Sequence, residues 1–265
     1  MYSFDYARPA TVGEAAAALA TSPQARCLAG GQTLLPTVKQ RLANPSLLVD
    51  LGGLTELRSI SRQGDTVCIG ALATHADVAS NGVVRSAIPA LAHLAGEIGD
   101  PQVRNRGTIG GSLANNDPAA DYPAAVLALG ATVVTSKRLI PADHYFQGLF
   151  STALEQAEII TRVDFPAPMK AGYAKFEQRA SRYALVGVFV AQTTAGVRVA
   201  VTGSGANGVF RVPEMETALA TNFSPDALKG ITIDPSGLVG DLHGSAEYRA
   251  AMIPVIAERA VAAAK

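Results

Sequence analysis

Two glycine-rich segments of this sequence have the residue types to bind a phosphorylated ligand. The first glycine motif is Ala29, Gly30, Gly31, Gln32 and Thr33, and the second glycine motif is Thr108, Ile109, Gly110, Gly111 and Ser112. A diphosphate needs converging N–H donors and an unobstructed backbone, which glycines just before a helix provide. One such segment is equally typical of an ordinary Gly-Gly turn. Two that converge indicate a cofactor with an extended phosphate backbone.

A carboxylate follows the second glycine motif. Asp121 lies at the start of a helix predicted over residues 119–129, where its side chain could accept hydrogen bonds from ribose hydroxyls. An acidic residue in a first helical turn can instead complement the helix dipole, which is worth about 0.3–1 kcal/mol. The residues alone leave both roles open.

The predicted secondary structure places the two motifs differently. Apolar runs over residues 25–29 and 46–50 predict strands, and a helix is predicted over 33–42. The first motif is then the turn of a strand–turn–helix–strand unit whose strands are parallel. Residues 99–117 are rich in Gly, Asn and Pro, which predicts irregular structure around the second motif.

The pattern of the sequence changes after the breaker Pro166-Ala167-Pro168. Residues 184–192 and 197–202 predict adjacent antiparallel strands. Helices are predicted over 213–220, 225–228 and 245–264. We therefore expect an α+β chain with three parts, comprising residues 1–52, 53–168 and 169–265.

The amino-acid composition limits the classes of function that this chain can have. Hydrophobic residues make up 48% of the 265 and charged residues 17%, which predicts a globular protein and excludes disorder. The 22 basic and 22 acidic residues balance, and no Lys/Arg run stands out, so we expect no nucleic-acid partner.

The two cysteines, Cys27 and Cys68, lie in separate apolar runs and are expected to be buried reduced thiols. Charged residues and a proline interrupt residues 1–20, so no signal peptide is predicted and we expect a cytoplasmic protein.

Other patterns carry less weight. Residues 203–208 fit G-x-G-x-x-G, but Val-Phe-Arg-Val-Pro follows instead of a helix, so we interpret them as a connection from a strand to a later helix. The four histidines do not pair with Cys, Asp or Glu at zinc-site spacing, and no metal site is predicted. There is no G-x-S-x-G nucleophile motif.

Longer stretches around the motifs resemble a known family. They are Ala29–Pro36, Ile98–Asn115, Asp117–Pro123, Arg179–Gly187 and Asp241–Arg249. In this order they resemble the FAD-binding subunit of the molybdenum hydroxylases, which include the medium subunit of aerobic carbon monoxide dehydrogenase and the flavin domain of xanthine dehydrogenase. The resemblance covers essentially the whole chain.

The resemblance implies a vanillyl-alcohol-oxidase-type FAD-binding fold. FAD would lie between an N-terminal and a middle α/β subdomain, followed by a C-terminal domain with a small antiparallel sheet and helices. Both glycine motifs would hold the pyrophosphate, and Asp121 would lie near the ribose. Thr33 replaces the commoner serine and keeps its hydroxyl.

Two further residues receive roles only from the resemblance. Tyr183 matches a tyrosine expected beside the isoalloxazine ring, whereas by itself it is typical of a packed aromatic side chain. Lys175 is a candidate for a flavin-side lysine, but Glu177 lies nearby and the role stays open.

The implied function is an oxidoreductase subunit whose FAD passes electrons from iron–sulfur centres to an external acceptor. The chain has no cysteine cluster for iron–sulfur centres and too little length for a molybdopterin domain. The resemblance therefore implies a small [2Fe-2S] subunit and a large molybdopterin-binding subunit, assembled as a dimer of heterotrimers. The alternative is a non-catalytic flavin-binding or assembly module of the same fold. Intact motifs, Asp121 and Tyr183 favour the first, and the sequence does not name the substrate.

Overall fold

A computed structural model describes residues 1–265, and it begins with a three-stranded parallel sheet. Its elements are β1 (Asp5–Ala7), α1 (Val12–Ala20), β2 (Ala25–Leu28), α2 (Leu34–Lys39) and β3 (Leu47–Asp50). β3 lies between β1 and β2 and is parallel to both, which confirms the predicted strand–turn–helix–strand unit. α2 ends earlier than predicted because Arg41 adopts a left-handed backbone conformation, with φ of 62°.

The middle of the chain forms a five-stranded sheet that is antiparallel throughout. Its strand order is β4-β5-β10-β6-β7. The strands are β4 (Ile60–Gln63), β5 (Thr66–Gly70), β6 (Thr132–Thr135), β7 (Leu139–Pro141) and β10 (Ile160–Pro166), and a separate two-stranded sheet comprises β8 (Phe146–Gly148) and β9 (Ser151–Thr152). The helices are α3 (His75–Ser80), α4 (Gly82–Ala87), α5 (Pro89–Gly96), α6 (Pro101–Arg104), α7 (Ile109–Asn115), α8 (Tyr122–Ala128) and α9 (Ala142–Tyr145). Short 3-10 turns at Leu51–Gly53 and Thr55–Arg58 lead into this region.

The prediction of irregular structure over residues 99–117 is wrong, because α6 and α7 lie within this stretch. Thr108 caps α7 by accepting a hydrogen bond from the N–H of Gly111 at 3.1 Å. Ile109 and Leu113 of α7 are fully buried. Burial of this apolar side and the cap outweigh the low helix propensity of two adjacent glycines.

The C-terminal part contains a four-stranded antiparallel sheet and two long helices. Its elements are β11 (Lys170–Glu177), β12 (Ala184–Thr193), β13 (Gly196–Thr202), β14 (Phe210–Arg211), α10 (Pro213–Thr221), 3-10 turns at Pro225–Leu228 and Pro235–Gly237, and α11 (Ala246–Ala262). The predicted pairing of β12 with β13 is confirmed. β11 was not predicted because two lysines and a glycine interrupt its apolar pattern. None of the helices combines the length and apolarity needed to cross a membrane.

The middle and C-terminal sheets share one hydrophobic core. The largest cluster of buried residues combines α5, α8 and the middle strands with Tyr173 and Phe189 of the C-terminal sheet. A second cluster lies between the C-terminal sheet and helices α10 and α11. Residues 203–208 connect β13 to β14, so they open no βαβ unit and the dinucleotide motif is excluded there.

Arg249 of α11 holds several loops of the C-terminal part together. Its Nη2 donates to both carboxylate oxygens of Asp241 at 2.9 Å, and its Nη1 donates to the carbonyls of Leu185 and Gly203 at 2.6 and 2.8 Å. The side chain of Arg249 is only 3% exposed. Asp241 and Arg249, the two ends of this segment, therefore have a structural role.

We predict that Arg249→Met lowers the free energy of unfolding by about 3 kcal/mol, because it leaves two partly buried carbonyls and a partly exposed carboxylate without their donor. Arg259→Met is the matched control, since Arg259 is exposed on the same helix and its replacement should change stability by less than about 0.5 kcal/mol. Urea unfolding of the three proteins measures both values. Equal midpoints for the two variants would contradict the structural role of Arg249.

Candidate functional site

The candidate site is a cavity of about 580 Å³. Every residue predicted for the site lines it, except Ile109. Ile109 is instead fully buried in the core, and its N–H donates to the carbonyl of Ala73 at 3.1 Å. The tertiary structure therefore brings together two motifs, a carboxylate and a tyrosine that are far apart in the sequence.

The two glycine motifs converge through a backbone contact. A Cβ atom at Gly30 would overlap the carbonyl oxygen of Arg106 and lie 2.9 Å from the Cα atom of Gly107. Only glycine permits this approach. Gly30 is thus required by the packing of the first motif on the chain that precedes the second, independently of any ligand.

The first glycine motif presents free donors. The backbone N–H groups of Gly30, Gly31, Gln32 and Thr33 make no hydrogen bond within the chain. Gly31 has a φ of 71°, a conformation that glycine adopts without strain. Unpaired N–H groups are costly unless water or a ligand pairs with them, so consecutive free donors on a cavity wall form a site suited to an anion.

The second glycine motif differs, because the N–H groups of its residues 109–112 are already paired, whereas that of Thr108 makes no hydrogen bond within the chain. Ile109 and Gly110 donate to the carbonyls of Ala73 and Ala71, and Gly111 and Ser112 donate to Thr108. A Cβ atom at Gly110 would lie 2.6 Å from the Cβ atom of Ala71, so this glycine is needed for packing inside the protein.

Gly111 is the glycine of the second motif that faces the gap between the motifs. A Cβ atom there would touch only the hydroxyl of its own cap, Thr108, at 3.0 Å and the side chain of Ala29 at 3.9 Å. The second motif therefore contributes a surface without side chains, and the hydroxyl of Ser112, to the cavity.

Asp121 is a buried member of the cavity wall. Its Oδ1 atom accepts hydrogen bonds from the hydroxyl of Tyr173 and from the ammonium of Lys175, the latter at 3.0 Å. Burial raises the pKa of this carboxyl group, and the Lys175 charge opposes that effect. The Oδ2 atom accepts no hydrogen bond from the chain. Asp121 makes no capping hydrogen bond to α8, so its side chain serves the cavity wall and the C-terminal sheet.

The backbone before Asp121 is fixed by β13. The hydroxyl of Thr202 donates to the carbonyl of Ala120 at 2.6 Å and lies 3.1 Å from the carbonyl of Pro118, and the N–H of Gly203 donates to Pro118 at 2.8 Å. These bonds give the carboxylate a defined position relative to the C-terminal sheet.

Tyr183 lines the cavity from a turn that joins β11 to β12. The side chain is 46% exposed, and burial of the remainder raises its pKa. Lys175 does not line the cavity. Its ammonium lies behind Asp121, so the structure gives it no direct place beside a ligand.

His75 is a cavity residue that the sequence reasoning missed. It is buried, lines the cavity, and its Nδ1 atom has no hydrogen-bond partner. Burial, with a smaller effect of the Arg104 charge, lowers its pKa to about 4, so the imidazole is neutral at neutral pH. The spacing of zinc ligands could not identify His75. Its position at the capped start of α3, just after β5, is the feature of the sequence that could have identified it.

The comparisons with known proteins agree with this architecture. A family described as FAD binding domain in molybdopterin dehydrogenase matches residues 2–168. The nicotine 6-hydroxylase medium subunit of Paenarthrobacter nicotinovorans is 37% identical, over 97% of this chain and 95% of the relative. The carbon monoxide dehydrogenase medium chain of Hydrogenophaga pseudoflava is 35% identical, over 98% and 96%.

Solved structures show the same fold. A chain of carbon monoxide dehydrogenase from Hydrogenophaga pseudoflava, 36% identical, superposes with a TM-score of 0.88 over 99% of this chain and 97% of that one. A chain of the reconstituted enzyme from Oligotropha carboxidovorans, 32% identical, gives a TM-score of 0.90 over the same shares. The chain belongs to the family of FAD-binding subunits of the molybdenum hydroxylases, an oxidoreductase family. The predicted α+β FAD-binding fold is confirmed.

The cavity fits the cofactor of this family. Its volume of about 580 Å³ lies within the usual range for small-molecule and cofactor sites. The free N–H groups of the first motif suit a diphosphate, and the unpaired Oδ2 atom of Asp121 suits a hydroxyl donor.

We predict that His75 makes the stability of the chain dependent on pH. An unfolded histidine has a pKa of about 6.5, whereas the pKa of folded His75 is about 4. Between these values the unfolded chain binds the extra proton, so the free energy of unfolding falls as the pH decreases, by up to about 1.4 kcal/mol per pH unit.

Urea unfolding between pH 6.5 and pH 5 measures this slope. His75→Gln should remove most of it, and His93→Gln, at an exposed position of α5, should leave it unchanged. The pH range stops above the region where Glu158 contributes, because hydrogen bonds from Arg138 and Thr135 outweigh burial and lower its pKa to about 2. The same slope in wild type and His75→Gln would show that His75 is not buried as a neutral group.

Proposed function

We propose that this chain binds FAD in the cavity and passes electrons from an iron–sulfur centre of a partner subunit to an external acceptor. The observation that carries the proposal is the row of free N–H groups in the first glycine motif, which faces the cavity where the second motif meets it. A row of unpaired donors on a cavity wall needs an acceptor, and a diphosphate supplies several oxygens at once.

Each part of the cavity has a role in this proposal. The N–H groups of residues 30–33 bind the diphosphate, and Gly111 leaves room for it between the motifs. The Oδ2 atom of Asp121 accepts a hydrogen bond from a sugar hydroxyl, and Tyr183 lies beside the flavin ring. FAD, when bound, supplies the ability to take up and release electrons, whereas the protein provides placement and access.

The partners follow from the composition of the chain and from its relatives. With only Cys27 and Cys68, both free, the chain has no ligand set for an iron–sulfur cluster. The relatives named above are medium chains or subunits, which indicates assemblies of several subunits. We propose a small [2Fe-2S] subunit and a large molybdopterin-binding subunit, arranged as a dimer of heterotrimers. Unpaired thiols fit the cytoplasm.

The domain division also remains a proposal. The three main sheets lie within residues 5–50, 60–166 and 170–211. This supports an N-terminal FAD-binding part (1–52), a middle FAD-binding part (53–168) and a C-terminal domain (169–265). The alternative function, a flavin-binding or assembly module without redox coupling, predicts the same fold and the same bound cofactor.

We predict about one non-covalently bound FAD per chain. We also predict that Gly111→Ala weakens FAD binding about tenfold or more, because the new methyl group lies where the diphosphate passes between the motifs. Acid release and chromatography identify the flavin, and titration of the flavin-free protein gives its affinity. FMN, or flavin retained by the denatured protein, would contradict the proposal.

Stability separates this effect from misfolding. Alanine has a higher helix propensity than glycine, but its methyl group lies 3.0 Å from the capping hydroxyl of Thr108, so Gly111→Ala should change the stability of the chain by less than about 1 kcal/mol. Gly110→Val is the contrasting variant, because its side chain collides with Ala71 and should cost about 1–3 kcal/mol of stability. Normal FAD affinity in a well-folded Gly111→Ala protein would remove the diphosphate from this gap.

We predict that an organic substrate does not reduce the flavin of the isolated chain, although dithionite does. The chain holds no group through which substrate electrons could arrive, so reduction requires the partner subunits. Stopped-flow absorbance of the chain alone and of the reconstituted complex tests this. Rapid substrate reduction of the isolated chain would indicate a free-standing flavin oxidase, and no reduction in the active complex would favour the non-catalytic module.

A further inference from the structure

A single buried lysine connects three separate parts of the structure. The ammonium of Lys175 donates to the carbonyl of Glu97 at 2.8 Å, to the carbonyl of Arg182 at 2.8 Å and to Oδ1 of Asp121 at 3.0 Å. Its side chain is only 3% exposed. An ammonium has three protons, and all three are used. Lys175 thereby joins the end of α5, the cavity wall and the turn that carries Tyr183.

The Tyr183 turn, residues 178–183, has few other restraints. Its internal hydrogen bonds run between Gln178 and Tyr183, between Gln178 and Arg182, and from the N–H groups of Ala180 and Tyr183 to nearby side chains of the turn. Arg182 has a φ of 60°, which is strained for a residue with a side chain. The bond from Lys175 is the one hydrogen bond that joins this turn to residues outside it.

We propose that Lys175 is a positioning residue that holds the Tyr183 turn at the mouth of the cavity and thereby sets the access of the electron acceptor to the flavin. It acts through the carbonyl of Arg182, the residue immediately before Tyr183. Asp121 balances its charge, so Lys175 fixes the position of the turn relative to the cavity wall. The role in acceptor access rests on the proposed function of Tyr183, whereas the restraint of the turn does not.

Limited trypsin digestion of the flavin-free chain tests the restraint directly, because the turn contains the cleavage sites Arg179 and Arg182. Lys175→Met should increase the rate of cleavage at these sites about tenfold, since the lost hydrogen bond is charge-assisted. Cleavage after Arg259, exposed on α11, should not change. Lys170→Met is the matched control, at an exposed position of the same strand, and should cleave like wild type.

A second pair of variants tests Lys175 without a buried carboxylate left beside it. Asp121→Asn keeps Lys175 and its bond to Arg182, so the turn should stay protected. Asp121→Asn combined with Lys175→Met has no charge in the buried pair, and its turn should be cleaved about tenfold faster than in Asp121→Asn. Equal rates in these two proteins would overturn the proposal, even if Lys175→Met alone does not fold.

The second readout is flavin reoxidation in the assembled complex. Lys175→Met should alter the reoxidation rate with a bulky quinone acceptor more than with ferricyanide, while FAD content stays near that of wild type. Unchanged reoxidation with both acceptors would overturn the role in acceptor access. Loss of FAD without faster cleavage of the turn would show that Lys175 acts only through Asp121. Trypsin cleavage needs no flavin, so its outcome is independent of the proposed electron transfer.

Discussion

The contact of Gly30 with the carbonyl of Arg106 is the constraint on which the site depends. It brings the turn after β2 against the chain that leads into α7, and the cavity lies along this line of contact. The contact needs a residue without a Cβ atom, so it is available only to glycine. Once it is formed, the free N–H groups of the first motif face the gap beside Gly111, and the parallel N-terminal sheet acquires a fixed place relative to the middle sheet.

The same contact explains why the two motifs are not equivalent. The second motif is built into a capped helix, so the N–H groups of its residues 109–112 are paired with Thr108 and with the chain after β5. The first motif precedes α2 and keeps its donors free. The first motif therefore offers N–H donors to a ligand, and the second mainly offers a surface without side chains. Asp121 and Lys175 extend the arrangement, because their buried pair connects the cavity wall to the C-terminal sheet.

Much of the fold could be predicted because its signals are local. The parallel unit of β2, α2 and β3 and the antiparallel pair of β12 and β13 follow from runs of apolar residues separated by turn residues. The stretch over residues 99–117 was mispredicted for the same reason. Its Gly, Asn and Pro content describes local preference, and the burial of Ile109 and Leu113 outweighs it through contacts that the local sequence does not contain.

Residue identities and short spacings are enough to identify the family, the two glycine motifs and the residue types available to bind a cofactor. Which of these groups are free to bind it depends on how the chain packs. The partners of Gly110 and Asp121 come from residues remote in the sequence, Ala71 for Gly110 and Tyr173, 52 positions from Asp121. Burial and hydrogen-bond pairing are properties of the packed chain, and they set which donors are unpaired, which carboxylate oxygen is available and which histidine stays neutral.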